Sequence, residues 1–448
     1  MRRLTEGRIY ELCRLSFPLM LTSLSYALML FIDRWLLASY SSEAFTSASL
    51  AATTGWVFIL SILFLAGISE VFVAQHNGAG HFHKLGQPVW QMIWLSLFSV
   101  ALYLPLGIFA GPYLLSKESE QIYFRYMMLF GPAVALSGAL SGFFIGQGKA
   151  VLVSLTTLFA NIVNAGLDIV LIFGIPGWIE PLGLKGAAIA TSSSALFQCV
   201  VLAAFFLSKN NRLSFGTLKW RLSPMLFWNC LKIGIPGALF ISVEISGWAI
   251  FYHMMSQISD THLMIAGIFQ SFGLLFYFFG EGMGRAAATL AGNMIGAQNK
   301  EAILTLLKSG AALHLVFLVL LLGLFVCFGQ TCTGHFLPDP DHPSRFSIES
   351  SLPPCMALLL AYLFFEGLRL FLAGILTAAG DTVFLLLAGT FSIWIFLILP
   401  IYLFVVQREG SIELACTLSV CYAAAATLLY FIRFLQGKWR EIQLIETA

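Results

Sequence analysis

Two groups of polar residues interrupt the apolar stretches of this sequence, one group in each half of the chain. The first group contains Asp33, Asn164, Asp168 and Thr191. Asn164 and Asp168 are four positions apart, so on a helix their side chains share one face. Carboxylate, amide and hydroxyl oxygens are hard ligands, which suit a proton or a small cation such as Na⁺. We interpret these four residues as a candidate cation site, although hydrogen bonds between helices would also account for Asn164 and Thr191.

The second group contains Glu244, Tyr362 and Glu366. Tyr362 precedes Glu366 by four positions and therefore lies on the same helical face. Arg369 follows Glu366 by three positions, which is close enough for an ion pair along one helix. Ionisable residues within apolar segments are costly and mark ion or substrate pathways. The second group is therefore either a cation or substrate site or a purely structural ion pair.

The elements that must position these residues are membrane-spanning helices. Of the 448 residues, 59% are hydrophobic and 10% are charged, against about 25% charged in soluble domains. This composition excludes a water-soluble enzyme and a disordered chain, and a net charge of +2 does not indicate a nucleic-acid partner. Twelve apolar stretches reach the roughly 20 residues that cross a bilayer, six between Leu12 and Leu207 and six between Leu226 and Phe434. The predicted fold is an all-α membrane protein with twelve transmembrane helices in the lipid bilayer.

An internal repeat predicts how these helices are grouped. The same 218 positions separate Pro18 from Pro236 and Gly78 from Gly296. Two halves of six crossings each lie parallel in the membrane, which predicts two pseudo-symmetric six-helix lobes around a central cleft. We expect the first lobe at residues 1–207, a linker at 208–224, the second lobe at 225–448 and a polar loop at 334–351. Pro18 and Pro236 each remove a backbone hydrogen bond and are predicted hinges.

The distribution of basic residues predicts the orientation. Seventeen of the 24 Lys and Arg residues fall on the side of the termini, six fall on the other side, and Arg369 lies within a span. Because cytoplasmic loops are enriched in Lys and Arg, both termini are expected in the cytoplasm of a multi-pass protein of the cytoplasmic membrane. Near that side, Glu70, Gln75, Glu281 and Arg285 are expected to form gating or helix-pairing contacts. The sequence contains no phosphate-binding loop for ATP and no catalytic motif, so we expect neither an enzyme nor a cofactor.

These features together resemble the multidrug and toxic compound extrusion (MATE) family, over essentially the whole chain. The resemblance depends on the order and spacing of several short segments rather than on any one of them. They are Pro18 with Asp33, Gln75 to Ala79, Asn161 to Asp168, Gly183 to Thr191, Pro236 with Glu244, and Tyr362 to Asp381.

The resemblance implies an antiporter that exports small organic cations by alternating access, in exchange for Na⁺ or H⁺. We expect the protein to be a monomer. The cation site of the archaeal and DinF-like branches matches Asp33, Asn164, Asp168 and Thr191, and a second-lobe site of the NorM-like branch matches Glu244, Tyr362 and Glu366. This chain departs from the NorM-like pattern, because it has Glu at 366 and Arg at 369. Since the Arg369 guanidinium competes for the same carboxylate, we expect the first lobe to hold the main coupling site.

The alternative within the same superfamily is a flippase for a lipid-linked sugar or cell-wall precursor. Such a protein needs a cationic cleft for its pyrophosphate, whereas Arg369 is the one basic residue placed deep in a span by the sequence.

Overall fold

The structure is a computed structural model that describes residues 6–334 and 345–445. Within these ranges, twelve helices are long and apolar enough to cross a membrane, which confirms the predicted fold class. We number them α1 to α12 in chain order. The first six are Ile9–Tyr40, Ser42–Gly78, Phe82–Leu114, Glu118–Gly146, Ala150–Phe173 and Leu184–Phe206. The second six are Pro224–Ile258, Asp260–Gly296, Ala302–Cys327, Arg345–Ala379, Thr382–Val406 and Ile412–Gln436.

The helices pack into two groups that follow the halves of the chain. In the first lobe (α1–α6), α1 packs on α5, α2 on α4, and α6 on both α4 and α5. In the second lobe (α7–α12), α8 packs on α10, α10 on α12, and α7 on α11. Contacts between the lobes are made mainly by α1 with α8 and by α2 with α7 and α8. The divisions at 207/208 and 224/225 stay a prediction.

Among the described residues, one cluster of buried apolar side chains contains members of both lobes, and it lies at one side of the bundle. We call this side, at which α1 begins and α12 ends, the inner side. One apolar cluster there includes Leu15 and Phe143 of the first lobe together with Leu290 and Phe371 of the second. Toward the opposite, outer side, each lobe has its own cluster, one around Phe124 and the other around Leu359 and its neighbours. The lobes are therefore packed together at the inner side and have separate cores toward the outer side.

Both predicted hinge prolines lie inside continuous helices, Pro18 in α1 and Pro236 in α7. Proline cannot donate a backbone hydrogen bond, so each helix is weakened at this point. Near Pro18 the helix is supported by hydroxyl groups: Thr22 and Ser154 donate to the Pro18 carbonyl oxygen at 3.0 and 2.6 Å. Ser154 belongs to α5, so the weakened turn of α1 is attached to the helix that carries Asn164 and Asp168. Their action as hinges stays a prediction.

The predicted polar loop at 334–351 is partly wrong. Helix α10 begins at Arg345 and continues through Pro353 and Pro354 to Ala379, so residues 345–351 are helical. Proline is tolerated within long membrane helices because neighbouring groups satisfy the freed carbonyls. Residues 335–344 of the predicted loop lie outside the described part of the chain.

Candidate functional site

Three helices of the first lobe bring the four predicted residues together. Asp33 lies in the outer part of α1, Asn164 and Asp168 lie on one face of α5, and Thr191 lies in the first half of α6. Asp33 is 5% exposed, and Asn164 and Asp168 are fully buried. We call these four residues the first-lobe cluster.

The polar atoms of the first-lobe cluster are largely unsatisfied. Thr191 Oγ1 donates to Asp33 Oδ2 at 3.3 Å, and the Asp33 and Asp168 carboxyl groups lie beside each other. Within the described residues, Asp33 Oδ1 and all four terminal polar atoms of Asn164 and Asp168 have no hydrogen-bond partner. Buried polar groups are nearly always paired, so these atoms require a ligand or a proton. The oxygen donors fit a Na⁺ ion as well as a proton.

Sequence reasoning did not identify Tyr123 of α4, which lies close enough to Asp33 and Asp168 to interact electrostatically with both. Tyr123 also lines a cavity of about 40 Å³ together with Tyr26, Trp56 and Thr191. Nothing in the spacing of Tyr123 relates it to an aspartate on another helix, because the contact depends on how α4 packs. The cavity joins an aromatic wall to one hydroxyl of the first-lobe cluster.

The second lobe places a fixed cation between its two carboxylates. Arg369 Nε and Nη2 donate to the two oxygens of Glu366 at 2.8 and 2.5 Å, which confirms the predicted ion pair along α10. Arg369 Nη2 also donates to Glu244 Oε1 of α7 at 2.6 Å. Arg369 is 1% exposed. One guanidinium therefore binds both acidic residues of this lobe.

Two further contacts complete this group, which we call the second-lobe cluster: Glu244, Glu366, Arg369 and Tyr422. The Tyr422 hydroxyl of α12 donates to Glu244 Oε1 at 2.9 Å. Tyr422 was not identified from the sequence, since it lies 178 positions from Glu244. The predicted Tyr362 is buried on α10, where its ring contacts Trp248 and Phe269 at centroid distances of 5.9 and 5.8 Å.

The two clusters differ in what they offer a ligand. The first-lobe cluster has two neighbouring carboxyl groups and no basic side chain among its members. In the second-lobe cluster a guanidinium already supplies the positive charge, in the bidentate geometry that is strongest for arginine and carboxylate. Only the first cluster has buried polar atoms left to bind a cation.

Comparison with known proteins shows a family match in both lobes. The MatE family model matches residues 18–170 and 238–403. A protein of Thermotoga maritima named "Probable multidrug resistance protein NorM" is 24% identical over 450 aligned residues, which cover 96% of this chain and 93% of that protein. A protein of the same name from Bradyrhizobium diazoefficiens is 26% identical, covering 86% of this chain and 84% of its own length.

Solved structures show the same fold at low sequence identity. A crystal structure of a MATE protein in complex with MaL6 superposes with a TM-score of 0.86 at 16% identity, covering 98% of this chain and all of that chain. A MATE family transporter of the MOP superfamily, described as outward-facing, gives a TM-score of 0.81 at 17% identity and covers 98% of each chain.

Proposed function

This chain belongs to the MatE family, and on that premise we propose that it is a secondary active antiporter that exports small organic cations in exchange for Na⁺ or H⁺. The observation that carries this proposal is the first-lobe cluster, in which five buried polar atoms of Asp33, Asn164 and Asp168 have no partner among the described residues. A site of this kind needs a mobile cation, and the sequence supplies no machinery for ATP.

The coupling step that we propose follows from the two neighbouring carboxylates. Asp33 and Asp168 cannot both stay ionised in a buried site unless a positive charge comes between them. Binding of a proton or Na⁺ therefore holds α1 against α5, and its release favours their separation. Because α1 is weakened at Pro18, we expect the ion to control the bend of this helix. An ion that prefers one arrangement shifts the population toward it, which is the basis of alternating access.

The proposed substrate class rests on charge and on the named relatives. The curated relatives are named as multidrug resistance proteins, and the aromatic rings near the first-lobe cluster suit lipophilic cations. A flippase would need positive charge free to bind a pyrophosphate. Arg369, the basic residue of the second-lobe cluster, is instead bound by two carboxylates, which favours the exporter.

The orientation and assembly belong to the same proposal. We propose that the inner side, at which α1 begins and α12 ends, faces the cytoplasm, and the excess of Lys and Arg there supports this orientation. The separate outer cores of the lobes then face the exterior, where the cleft would release substrate. Each lobe contains a complete cluster within one chain, so we propose that a monomer performs the cycle in the cytoplasmic membrane.

The experiment uses the purified protein in liposomes with a Na⁺ gradient or a pH gradient imposed separately, and ethidium as the transported dye. We expect one of the two gradients to drive dye movement in the wild type. Asp33→Asn should abolish the response to that gradient, whereas Asp260→Asn, at the exposed start of α8, should retain it. Equal gradient-driven transport by the wild type and Asp33→Asn would overturn the proposal.

A further inference from the structure

The inner ends of α2 and α8 cross with almost no space between their backbones. A Cβ atom at Gly78 would overlap the carbonyl oxygen of Asn293 and would lie 2.8 Å from its Cα. A Cβ atom at Gly296 would overlap the carbonyl oxygen of Gln75 and would lie 2.9 Å from its Cα. Real Cβ atoms do not approach backbone this closely, so only glycine permits this crossing at both positions.

The two contacts are reciprocal. The internal repeat relates Gly78 to Gly296, and at the same spacing it relates Gln75 to Asn293. Gly78 therefore packs on the backbone of Asn293, three positions before Gly296. In the same way, Gly296 packs on the backbone of Gln75, three positions before Gly78. Reciprocal contacts of this kind define a local two-fold axis. The repeated glycines are thus explained by a contact between the lobes, which neither lobe could make alone.

Polar side chains join the lobes around this crossing. Asn77 donates to Asn293 Oδ1 at 2.7 Å, and Gln75 donates to the Ala378 carbonyl oxygen at 2.8 Å. One turn or more toward the membrane centre, Glu70 of α2 accepts from Thr289 at 2.8 Å and from Arg285 at 3.2 Å, both on α8. Glu70 is 7% exposed, so its carboxylate is largely buried, whereas the Arg285 side chain is 36% exposed.

We propose that this crossing, defined by Gly78, Gly296 and the Glu70–Arg285 ion pair, is the inner gate of the transporter and that the structure shows it closed. The inference rests on the proposed function, because a gate has a role only in a protein that alternates between two sides. Closure brings the two glycines against the opposing backbones and pairs Glu70 with Arg285 and Thr289. Opening separates these contacts together and admits substrate from the inner side.

The glycines give this gate a specific sensitivity. A methyl group added at either position would press against the backbone of the opposing helix. Backbone atoms cannot move aside as the end of a flexible side chain can. Overpacking of this kind destabilises the closed form and typically changes the equilibrium between the closed and open forms by about tenfold or more. Gly78→Ala and Gly296→Ala should therefore shift the protein toward the form that is open at the inner side, without removing any hydrogen-bonding group.

The first test is hydrogen–deuterium exchange of the full chain in lipid nanodiscs, which needs neither substrate nor coupling ion. We expect Gly78→Ala and Gly296→Ala to raise deuterium uptake in the inner segments of both α2 and α8. The control is Gly323→Ala in α9, where an added Cβ meets nothing within 4 Å. Uptake in both glycine variants equal to that of the control would overturn the proposal.

The second test locks the gate. Asn77→Cys and Asn293→Cys, combined in one chain, are oxidised to a disulfide across the crossing, and each single variant serves as its control. We expect cross-linking to stop dye export and a reductant to restore it. Undiminished export by fully cross-linked protein would overturn the gate and leave the antiport proposal intact. Absence of export by the wild type in the same liposomes would count against the antiport proposal, while the exchange experiment still decides the gate.

Discussion

The two lobes differ in the partners that they provide for their buried acidic residues. Each cluster contains two buried or nearly buried carboxyl groups, Asp33 with Asp168 in the first lobe and Glu244 with Glu366 in the second. In the second-lobe cluster Arg369, a cation that is part of the chain, binds both carboxylates and offsets one of their two negative charges. The first lobe provides two carboxyls, an amide and a hydroxyl but no basic residue within the cluster.

This difference shows why residue type alone does not identify a coupling site. A carboxylate bound by arginine in bidentate geometry has its charge compensated permanently. A carboxylate without such a partner must exchange a proton or an ion with its surroundings, which is what a coupling site does. The duplicated architecture thus permits one lobe to hold its carboxylates with a fixed cation while the other responds to an ion.

The largest effect is expected from removing the fixed cation of the second lobe. Arg369→Gln leaves Glu244 and Glu366 buried without a counter-charge, which should lower the free energy of unfolding by about 3–5 kcal/mol. The change would be measured as a lower midpoint of thermal unfolding in detergent. The matched control is the triple variant Glu244→Gln, Arg369→Gln, Glu366→Gln, in which no buried charge is left unpaired. A triple variant as unstable as Arg369→Gln would contradict the neutralising role of Arg369.

The next effect is on transport and concerns the first lobe. Asp33→Asn and Asp168→Asn each remove one of the two carboxylates that bind the coupling ion. We expect ion binding to weaken by about 3 kcal/mol, so that gradient-driven flux falls about a hundredfold. Thermal stability should be retained, since the substitution removes repulsion between like charges. The measurement is initial dye flux in liposomes. If these variants lose thermal stability but keep normal flux per folded molecule, the two aspartates stabilise the first lobe and do not couple transport to the ion.

A smaller effect is expected for Tyr422→Phe. The Tyr422 hydroxyl donates to a charged carboxylate, and hydrogen bonds of this type contribute about 1.5–3 kcal/mol. Tyr103→Phe is the matched control, because its hydroxyl donates to the neutral Phe58 carbonyl oxygen at 3.3 Å. Thermal unfolding should show a larger loss for Tyr422→Phe than for Tyr103→Phe, with the coupling ion unchanged in both. A change of coupling ion in Tyr422→Phe would give the second lobe a direct part in coupling.

The smallest effect is expected for Thr191→Val. The Thr191 hydroxyl is one oxygen of the first-lobe cluster, and its bond to Asp33 is long at 3.3 Å. Losing about 1 kcal/mol should weaken the dependence of flux on the coupling ion about fivefold. Thr191→Ser, which keeps the hydroxyl, should behave as the wild type. If Thr191→Ser is impaired as strongly as Thr191→Val, the methyl group and its packing are the cause, and the hydroxyl is not an ion ligand.

The fold and the local parts of both sites could be predicted from the sequence. Long apolar stretches identify membrane helices because the bilayer requires them. The i, i+4 spacing of Asn164 and Asp168 and the i, i+3 spacing of Glu366 and Arg369 are fixed by helix geometry. These relations depend on one helix each, so no knowledge of packing was needed.

Contacts between helices could not be predicted in the same way. Arg369 reaches Glu244 across 125 positions, and Tyr422 reaches it across 178. Tyr123 lies beside the aspartates only because α4 packs against the rest of the first lobe. The start of α10 at Arg345 was also missed, because residues 345–351 are polar enough to resemble a loop when the neighbouring helices are unknown.

The most direct measurement counts the cations bound by the purified protein, using equilibrium binding of ²²Na⁺ together with proton uptake. We expect the triple variant Glu244→Gln, Arg369→Gln, Glu366→Gln to bind as many ions as the wild type, and Asp33→Asn to bind none at the coupling site. Full binding by Asp33→Asn together with loss of binding in the triple variant would contradict the assignment of the coupling site to the first lobe.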